Sequence, residues 1–342
     1  MQQQPRPPLD IVGARGWFYL FSVLLLLPGV ISLLIPPSLK PGIDFTGGTE
    51  FNVRFQKPVE KDQLSAAFDK LAHPEARVQG TGDNEFIVRT KELTGGGAQA
   101  LGPRPPSEET TIREGLIDQF GPLVDLQDNV TNRFIQTSQI SATISHEIAR
   151  NAAFALLAAS GAIFIYLWWS FRAVPQAHRF GTAAVFALLH DAMLVVGAFS
   201  ILGKLIDAEI DIFFITALLT VIGFSVHDSI VVFDRIRENA VREPRMAFAE
   251  VVNISLLQTL GRSFNTSLTL IFAIVALMLM GGSGIEEFLW AMLIGTVTGA
   301  YSSIFIASQL LVTWEDGNIA RWFKRRREER EEEEYGAATA EA

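Results

Sequence analysis

VIGFSVHDSIVVFDRIREN, residues 221–239, opens as an apolar run and then carries His227 and Asp228. It ends in Asp234, Arg235, Arg237 and Glu238. An ionisable side chain near the middle of a membrane helix costs roughly 2.5–3.5 kcal/mol on insertion scales. The segment is therefore a buried core helix of a soluble protein, or a membrane span whose polar residues have a task.

The surrounding sequence favours the membrane. The chain has 342 residues, of which 49% are hydrophobic, and a mean hydropathy of +0.27. The excess is clumped in runs such as WFYLFSVLLLLPGVISLLI (17–35) and LLQTLGRSFNTSLTLIFAIVALMLM (256–280). Runs of that length cross about 30 Å of hydrocarbon at 1.5 Å per residue. Six spans are expected, at 17–35, 150–170, 181–203, 210–233, 257–281 and 287–313. The first has no A-x-A-like cleavage site after it and reads as an uncleaved anchor. The net charge of −9 is inflated by the acidic tail EEREEEEYG (328–336) and says little about partners. With no cysteine in the chain, disulfides and thiolate metal sites are excluded.

Lysine and arginine near span ends set the expected orientation. Arg6 and Arg15 precede the first span, and Arg172 and Arg179 lie between the second and third. Arg235, Arg237, Arg242 and Arg245 fall in a loop at about 234–256, and Arg321, Lys324 and Arg325–Arg327 follow the sixth span. These predict a cytoplasmic N-terminus (1–16), a cytoplasmic charged tail (314–342), and an extracytoplasmic stretch at 36–149. The bundle of spans two to six then fills 150–313.

Residues 36–149 predict a small α+β domain. TEFNVRF (49–55) alternates as a strand does, and VEKDQLSAAFDKLA (59–72) carries apolar residues at helical spacing. Two strands are expected at 76–81 and 84–90 around a Gly-Asp-Asn turn, a flexible insertion at 94–106, a capped helix at 107–120, and a last strand within 123–137. The order β-α-β-β-α-β is the split βαβ, ferredoxin-like arrangement. No nucleophile–base pair or carboxylate pair with catalytic spacing appears, so a binding or mechanical module is expected and not an enzyme. GIDFTGGTE (42–50) joins the first span to the first strand. Its Gly42, Gly47 and Gly48 mark either a tight elbow or a moving hinge.

Three spans carry polar residues at depth. His190 and Asp191 lie near the centre of the third, and His227 and Asp228 in the fourth, where Ser225, Asp228 and Ser229 form a polar stripe. The fifth carries Arg262, with Asn265, Thr266 and Thr269 on its face, three or four residues apart. Spans four and five run antiparallel, so Asp228 and Arg262 share a depth. They read as a proton-accepting carboxylate with a fixed counter-ion, or as a static pair locking two helices. No metal is expected: the His-Asp pairs are sequence neighbours and no HExxH occurs. Gly295 and Gly299 of GTVTG form a GxxxG pattern that favours helix packing.

These residues resemble one family. GIDFTGGT (42–49), HD (190–191), LLTVIGFSVHDSIVVFDRIREN (218–239), QTLGRSFNTSLT (258–269) and GAYSSIFIA (299–307) occur in the order and at about the spacing of the SecD/SecF family, related to the RND transporters. The resemblance covers nearly the whole chain. It implies a subunit of the bacterial inner membrane that pairs with a SecD-like chain, assists the SecYEG channel, and uses the proton gradient to draw out exported, unfolded polypeptides. It implies no cofactor beyond the coupling proton and no nucleic-acid partner. It places the family's proton-path aspartate on Asp228 and its arginine on Arg262, with His190, Asp191 and His227 as further relay candidates. Two departures are visible: His227 stands where the family often has Asn, and TSQISATISHEIARN (137–151) lacks the usual Val-Gly-Pro pattern. The competing expectations are half of a proton-coupled small-molecule exporter, against which the single small domain counts, and a structural partner of the channel without proton chemistry.

Overall fold

The computed structural model describes residues 9–82, 84–93, 107–125, 127, 129–172, 178–280, 285–315 and 317. Among the described residues six helices are long and apolar enough to cross a membrane. They are α1 (Arg15–Leu34), α5 (Ala142–Ser170), α6 (His178–Leu205), α7 (Ile212–Arg242), α8 (Phe248–Met280), and a sixth span built from α9 (Glu286–Ser302), a π-turn (Ser303–Ala307) and α10 (Ser308–Glu315). Every predicted span is present. The insertion expected at 94–106 lies outside the described residues, as does most of the charged tail.

Between α1 and α5 lies the α+β domain: a short helix α2 (Ile43–Thr46), β1 (Gly48–Arg54), α3 (Lys61–Lys70), β2 (Arg77–Gly82), β3 (Glu85–Thr90), α4 (Glu108–Phe120), β4 (Leu123–Val124), β5 (Val130–Thr131) and β6 (Gln136–Ile140). The sheet order is β2-β3-β1-β6, with β1 antiparallel to both neighbours. Alternation on β1 buries Phe51 and Val53 against Leu64, Ala67 and Phe68 of α3 and Ile112 and Leu116 of α4. Both helices therefore cover one face, as the sequence predicted. The last sheet strand runs at 136–140, later than the expected 123–137. That stretch is instead opened by the small hairpin of β4 and β5, with Phe134 packed on Phe51 at 4.6 Å between ring centroids.

In the bundle, α7 and the sixth span are central, while α5 and α8 present most of their surface outward. Small residues set the closest approaches. Gly295 lies directly on the Val221 side chain, and a Cβ at Gly299 would meet Ser225 at 3.1 Å, so the GxxxG pair seats α9 on α7. Gly29 of α1 and Gly197 of α6 touch backbone to backbone, where a Cβ would lie 2.8 Å from the opposing Cα. The same two helices are joined by Ser32 Oγ and Ser200 Oγ at 2.8 Å. Lys204 Nζ donates to the carbonyls of Ser32 (2.5 Å) and Ile35 (2.9 Å), capping the end of α1.

Candidate functional site

The polar centre of the bundle is built around Asp191 on α6, which is fully buried. One of its carboxylate oxygens accepts hydrogen bonds from Ser225 Oγ on α7 (2.7 Å) and Ser302 Oγ on α9 (2.6 Å). The other lies 3.0 Å from His190 Nδ1. With Nδ1–H donating to Asp191, the opposite ring nitrogen accepts from the Ser22 hydroxyl on α1. Four helices thus meet on one side-chain cluster. The cluster continues through Ser303, whose Oγ donates to the Ser225 carbonyl (3.0 Å) and accepts from Ser229 Oγ (3.0 Å). The π-turn brings Ser302 and Ser303 inward together, and Ser308 Oγ donates five residues back to the Ser303 carbonyl at 2.9 Å.

Asp228 lies one residue from Ser229 on α7 and is 3% exposed. Among the described residues its Oδ2 has no hydrogen-bond partner, and neither has the buried hydroxyl of Ser267 on α8; Ser263 of α8 stands beside the carboxyl. The predicted stripe of Ser225, Asp228 and Ser229 faces inward as expected. His227, about 100° around the helix, points out.

Arg262 differs from expectation. It shares a face with Asn265, Thr266 and Thr269, but that face is the exposed side of α8. Among the described residues Arg262 has no ion-pair partner, so the expected contact with Asp228 is not made within this chain. The reason is the helix phase: Ser263 and Ser267 occupy the inward side of α8, and Arg262 is turned about 100° from Ser263. The hydroxyls of Thr266 and Thr269 bond back to the carbonyls of Arg262 (2.9 Å) and Asn265 (2.8 Å), leaving the face apolar but for the Arg262 and Asn265 heads. Among the described residues no group of three or more His, Cys, Asp or Glu has a metal-site arrangement.

A second constellation lies where the α+β domain meets the α6–α7 loop (206–211). The linker after α1 is stapled to this loop: Gly42 N donates to the Ile210 carbonyl and Ile210 N to the Lys40 carbonyl, both at 2.8 Å, and Ile212 N donates to Asp44 Oδ2 at 2.9 Å. Arg89 on β3 places its Nε 2.6 Å from Glu50 and 3.4 Å from Glu209, and Arg77 lies 3.8 Å from Glu209. Asp207 pairs with Lys40 and, at 3.3 Å, with Lys61. Burial pushes the Glu209 carboxyl above the usual carboxylate range and the Asp211 carboxyl up to about 6. Hydrogen bonding from Lys40 holds Asp207 below that range. The three linker glycines have packing reasons here. Gly42 lies against the Ile210 carbonyl, Gly47 (φ +73°) against Ala142, and Gly48 (φ +138°) against the Thr90 carbonyl.

Sequence reading missed Ser22, Ser302, Ser303 and the Arg89–Glu209 contact. YSSIF carried a signal for two of them, since Ser302 and Ser303 follow Gly299 at three and four residues, the spacing of one helix face. No local pattern marks Ser22 or Glu209.

Comparison with known proteins follows the same residues. A family model described as "Protein export membrane protein SecD/SecF, C-terminal" matches residues 124–317, and one described as "SecD/SecF GG Motif" matches residues 39–59. The protein translocase subunit SecF of Thermobaculum terrenum is 44% identical over 318 residues, covering 93% of this chain and 97% of the relative. The protein translocase subunit SecDF of Bacillus subtilis is 34% identical over 326 residues, 93% of this chain but 40% of the longer relative. A crystal structure of SecDF from Thermus thermophilus, titled a translocon-associated membrane protein, superposes with a TM-score of 0.74 at 31% identity, over 91% of this chain and 39% of that one.

Proposed function

Because this chain belongs to the SecD/SecF family of protein-export membrane proteins, we propose that it is a SecF-type accessory subunit of the Sec export machinery. In this reading it works with a SecD-type chain, beside the SecYEG channel, and couples proton movement to the late translocation of exported polypeptides. It is a multi-pass protein of the bacterial inner membrane with both termini cytoplasmic and the α+β domain outside. The positions of Arg235, Arg237, Arg242 and Arg245 support that orientation. Relatives in which one chain carries both parts support the SecD-type partner.

The observation that carries the proton reading is Asp228. A buried carboxylate oxygen without a hydrogen bond is costly, and becomes cheaper when the group takes up a proton. Asp228 is the acceptor that loads and unloads. The serine cluster around Asp191 supplies hydroxyls that both donate and accept. Arg262 faces outward on α8, so its counter-charge comes from the partner side of that helix. The proton is the only coupling agent, and no cofactor takes part.

Asp228→Asn keeps the size and cannot cycle a proton. In vesicles holding the complete machinery, the variant chain is expected to assemble normally and to lose the stimulation of export by the proton gradient. Normal export with gradient dependence intact overturns the proton reading. Asp191 favours a different role for itself: its carboxylate is already bonded to His190, Ser225 and Ser302, the pattern of a static staple across helices.

A further inference from the structure

The joint between the α+β domain and the α6–α7 loop holds more carboxylates than its cations balance locally. The loop contributes Asp207, Glu209 and Asp211. Asp44 of the linker and Glu287 of α9 bear on Asp211, and Glu50 of β1 shares Arg89 with Glu209. Facing them are Arg77 of β2, Arg89 of β3, and Lys40 and Lys61, the last two engaged by Asp207. Lys91 and Glu75 pair with each other at 3.8 Å at the rim, where Glu75 also approaches His73.

Glu209 stands out within this group. It is 6% exposed, and its Oε2 makes no hydrogen bond, only the 3.4 Å ion contact to Arg89. The groups that cover it come from β2, β3 and the linker. A cavity of about 260 Å³, lined by Pro41, Ile43, Thr46, Arg89 and Glu209 among others, opens beside it.

We propose that this joint is a proton-binding site on the domain side of the membrane, in which a proton taken up by the Glu209 and Asp211 carboxylates clamps the domain onto the α6–α7 loop and its loss loosens the domain. The site is separate from the Asp228 centre and does not depend on a proton crossing the bundle. Only its assignment to the outer face rests on the orientation proposed above.

The sign follows from burial. Burial at the closed joint raises both carboxyls, Asp211 to about 6. Undocked, each returns toward the ordinary value near 4. The docked state therefore binds the proton more tightly, and docking strengthens as pH falls. For Asp211 the change lies between about pH 6 and about pH 4, by up to about tenfold in the docked-to-free ratio per pH unit, and Glu209 adds a change of the same sign. Above about pH 6 Asp211 is charged in both states and its contribution to the ratio is at its lowest.

The test uses the full chain in its complex, in nanodiscs so that both faces see the same buffer. Spin labels at Asp62→Cys on α3 and Ile206→Cys on the loop report the domain–loop distance; the chain has no other cysteine. The short-distance population is expected to grow as pH falls from 7 to 4. The double variant Glu209→Gln/Asp211→Asn is expected to stay docked and show no pH response. Asp211→Asn alone, which keeps a good N-cap for α7, is expected to show a smaller response. Asp228→Asn is expected to leave the titration unchanged, so failure of the proton-transit reading does not touch this one. A distance that ignores pH, a domain that leaves on acidification, or a double variant that undocks or still titrates overturns the proposal.

Discussion

Ser302 on α9 donates a 2.6 Å hydrogen bond to Asp191 on α6, and through it the sixth span is fixed to the buried carboxylate that also receives Ser225. Two hydroxyls share one oxygen atom, so each carries part of the cost of keeping that carboxylate out of water. We predict that Ser302→Ala lowers the chain's stability by about 1–3 kcal/mol, the usual penalty for a buried acceptor that loses a donor. Ser267→Ala is the control, since among the described residues its buried hydroxyl makes no hydrogen bond. Thermal unfolding in detergent compares the two, and equal losses would contradict the assignment.

Arg262 predicts a separation between folding and assembly. Its side chain has no ion-pair partner among the described residues and lies on the outward face of α8. Arg262→Gln is expected to change the isolated chain's stability by no more than about 0.5 kcal/mol, as for a surface site. It is expected to reduce co-purification with a SecD-type chain. A destabilised chain with unimpaired assembly would show that the arginine acts within its own bundle.

Gly295 and Gly223 offer a matched pair. Leucine at Gly295 would drive into the Val221 side chain, while nothing lies within 4 Å of a Cβ at Gly223. Gly295→Leu is expected to cost about 1–3 kcal/mol or more by overpacking. Gly223→Leu should be close to neutral. Unfolding midpoints of the two variants decide it.

Asp207 and Glu209 are expected to act with opposite signs at the same joint. Asp207 is held below the usual range by Lys40, so its contribution is present at neutral pH and is lost only as pH falls below about 4. Asp207→Asn is therefore expected to loosen the domain at pH 7.5. The pair is half exposed, so the shift should be about fivefold or less. Glu209→Gln should tighten it at that pH. The spin-label distance above reads both, and a shift in the same direction for the two variants would remove the distinction.

Much of this architecture is legible in the sequence because it rests on periodicity. Phe51, Val53 and Phe55 alternate, the spans are long, and Ser225, Asp228 and Ser229 share a stripe that does face inward. The site is only half legible. Periodicity groups Arg262 with Thr266 and Thr269, and Ser263 with Ser267, but both sets are polar and lie about 100° apart. Which set turns inward depends on neighbouring helices that the local sequence does not contain. Glu209 and Arg89 are 120 residues apart, in a loop and a strand with no shared pattern. Their contact exists only because the linker lies along that loop.

The linker and the α6–α7 loop also fix the kinematics of the domain. Bonds between Gly42, Ile210 and Lys40 join them, and α1 is in turn bound to α6 through Ser22–His190, Gly29–Gly197, Ser32–Ser200 and the Lys204 cap. A body fastened along one edge keeps a single rotation, about that edge. The sheet can tilt like a flap but cannot rise like a piston on α1. Its other ties run from β6 into α5, the span least covered by its neighbours, and from Gln79 on β2, whose Nε2 donates to Glu287 of α9 at 3.3 Å. Distances from Lys40 and Gly42 to Ile210 should therefore stay fixed through a working cycle, while those from the far strand of the sheet to the bundle vary.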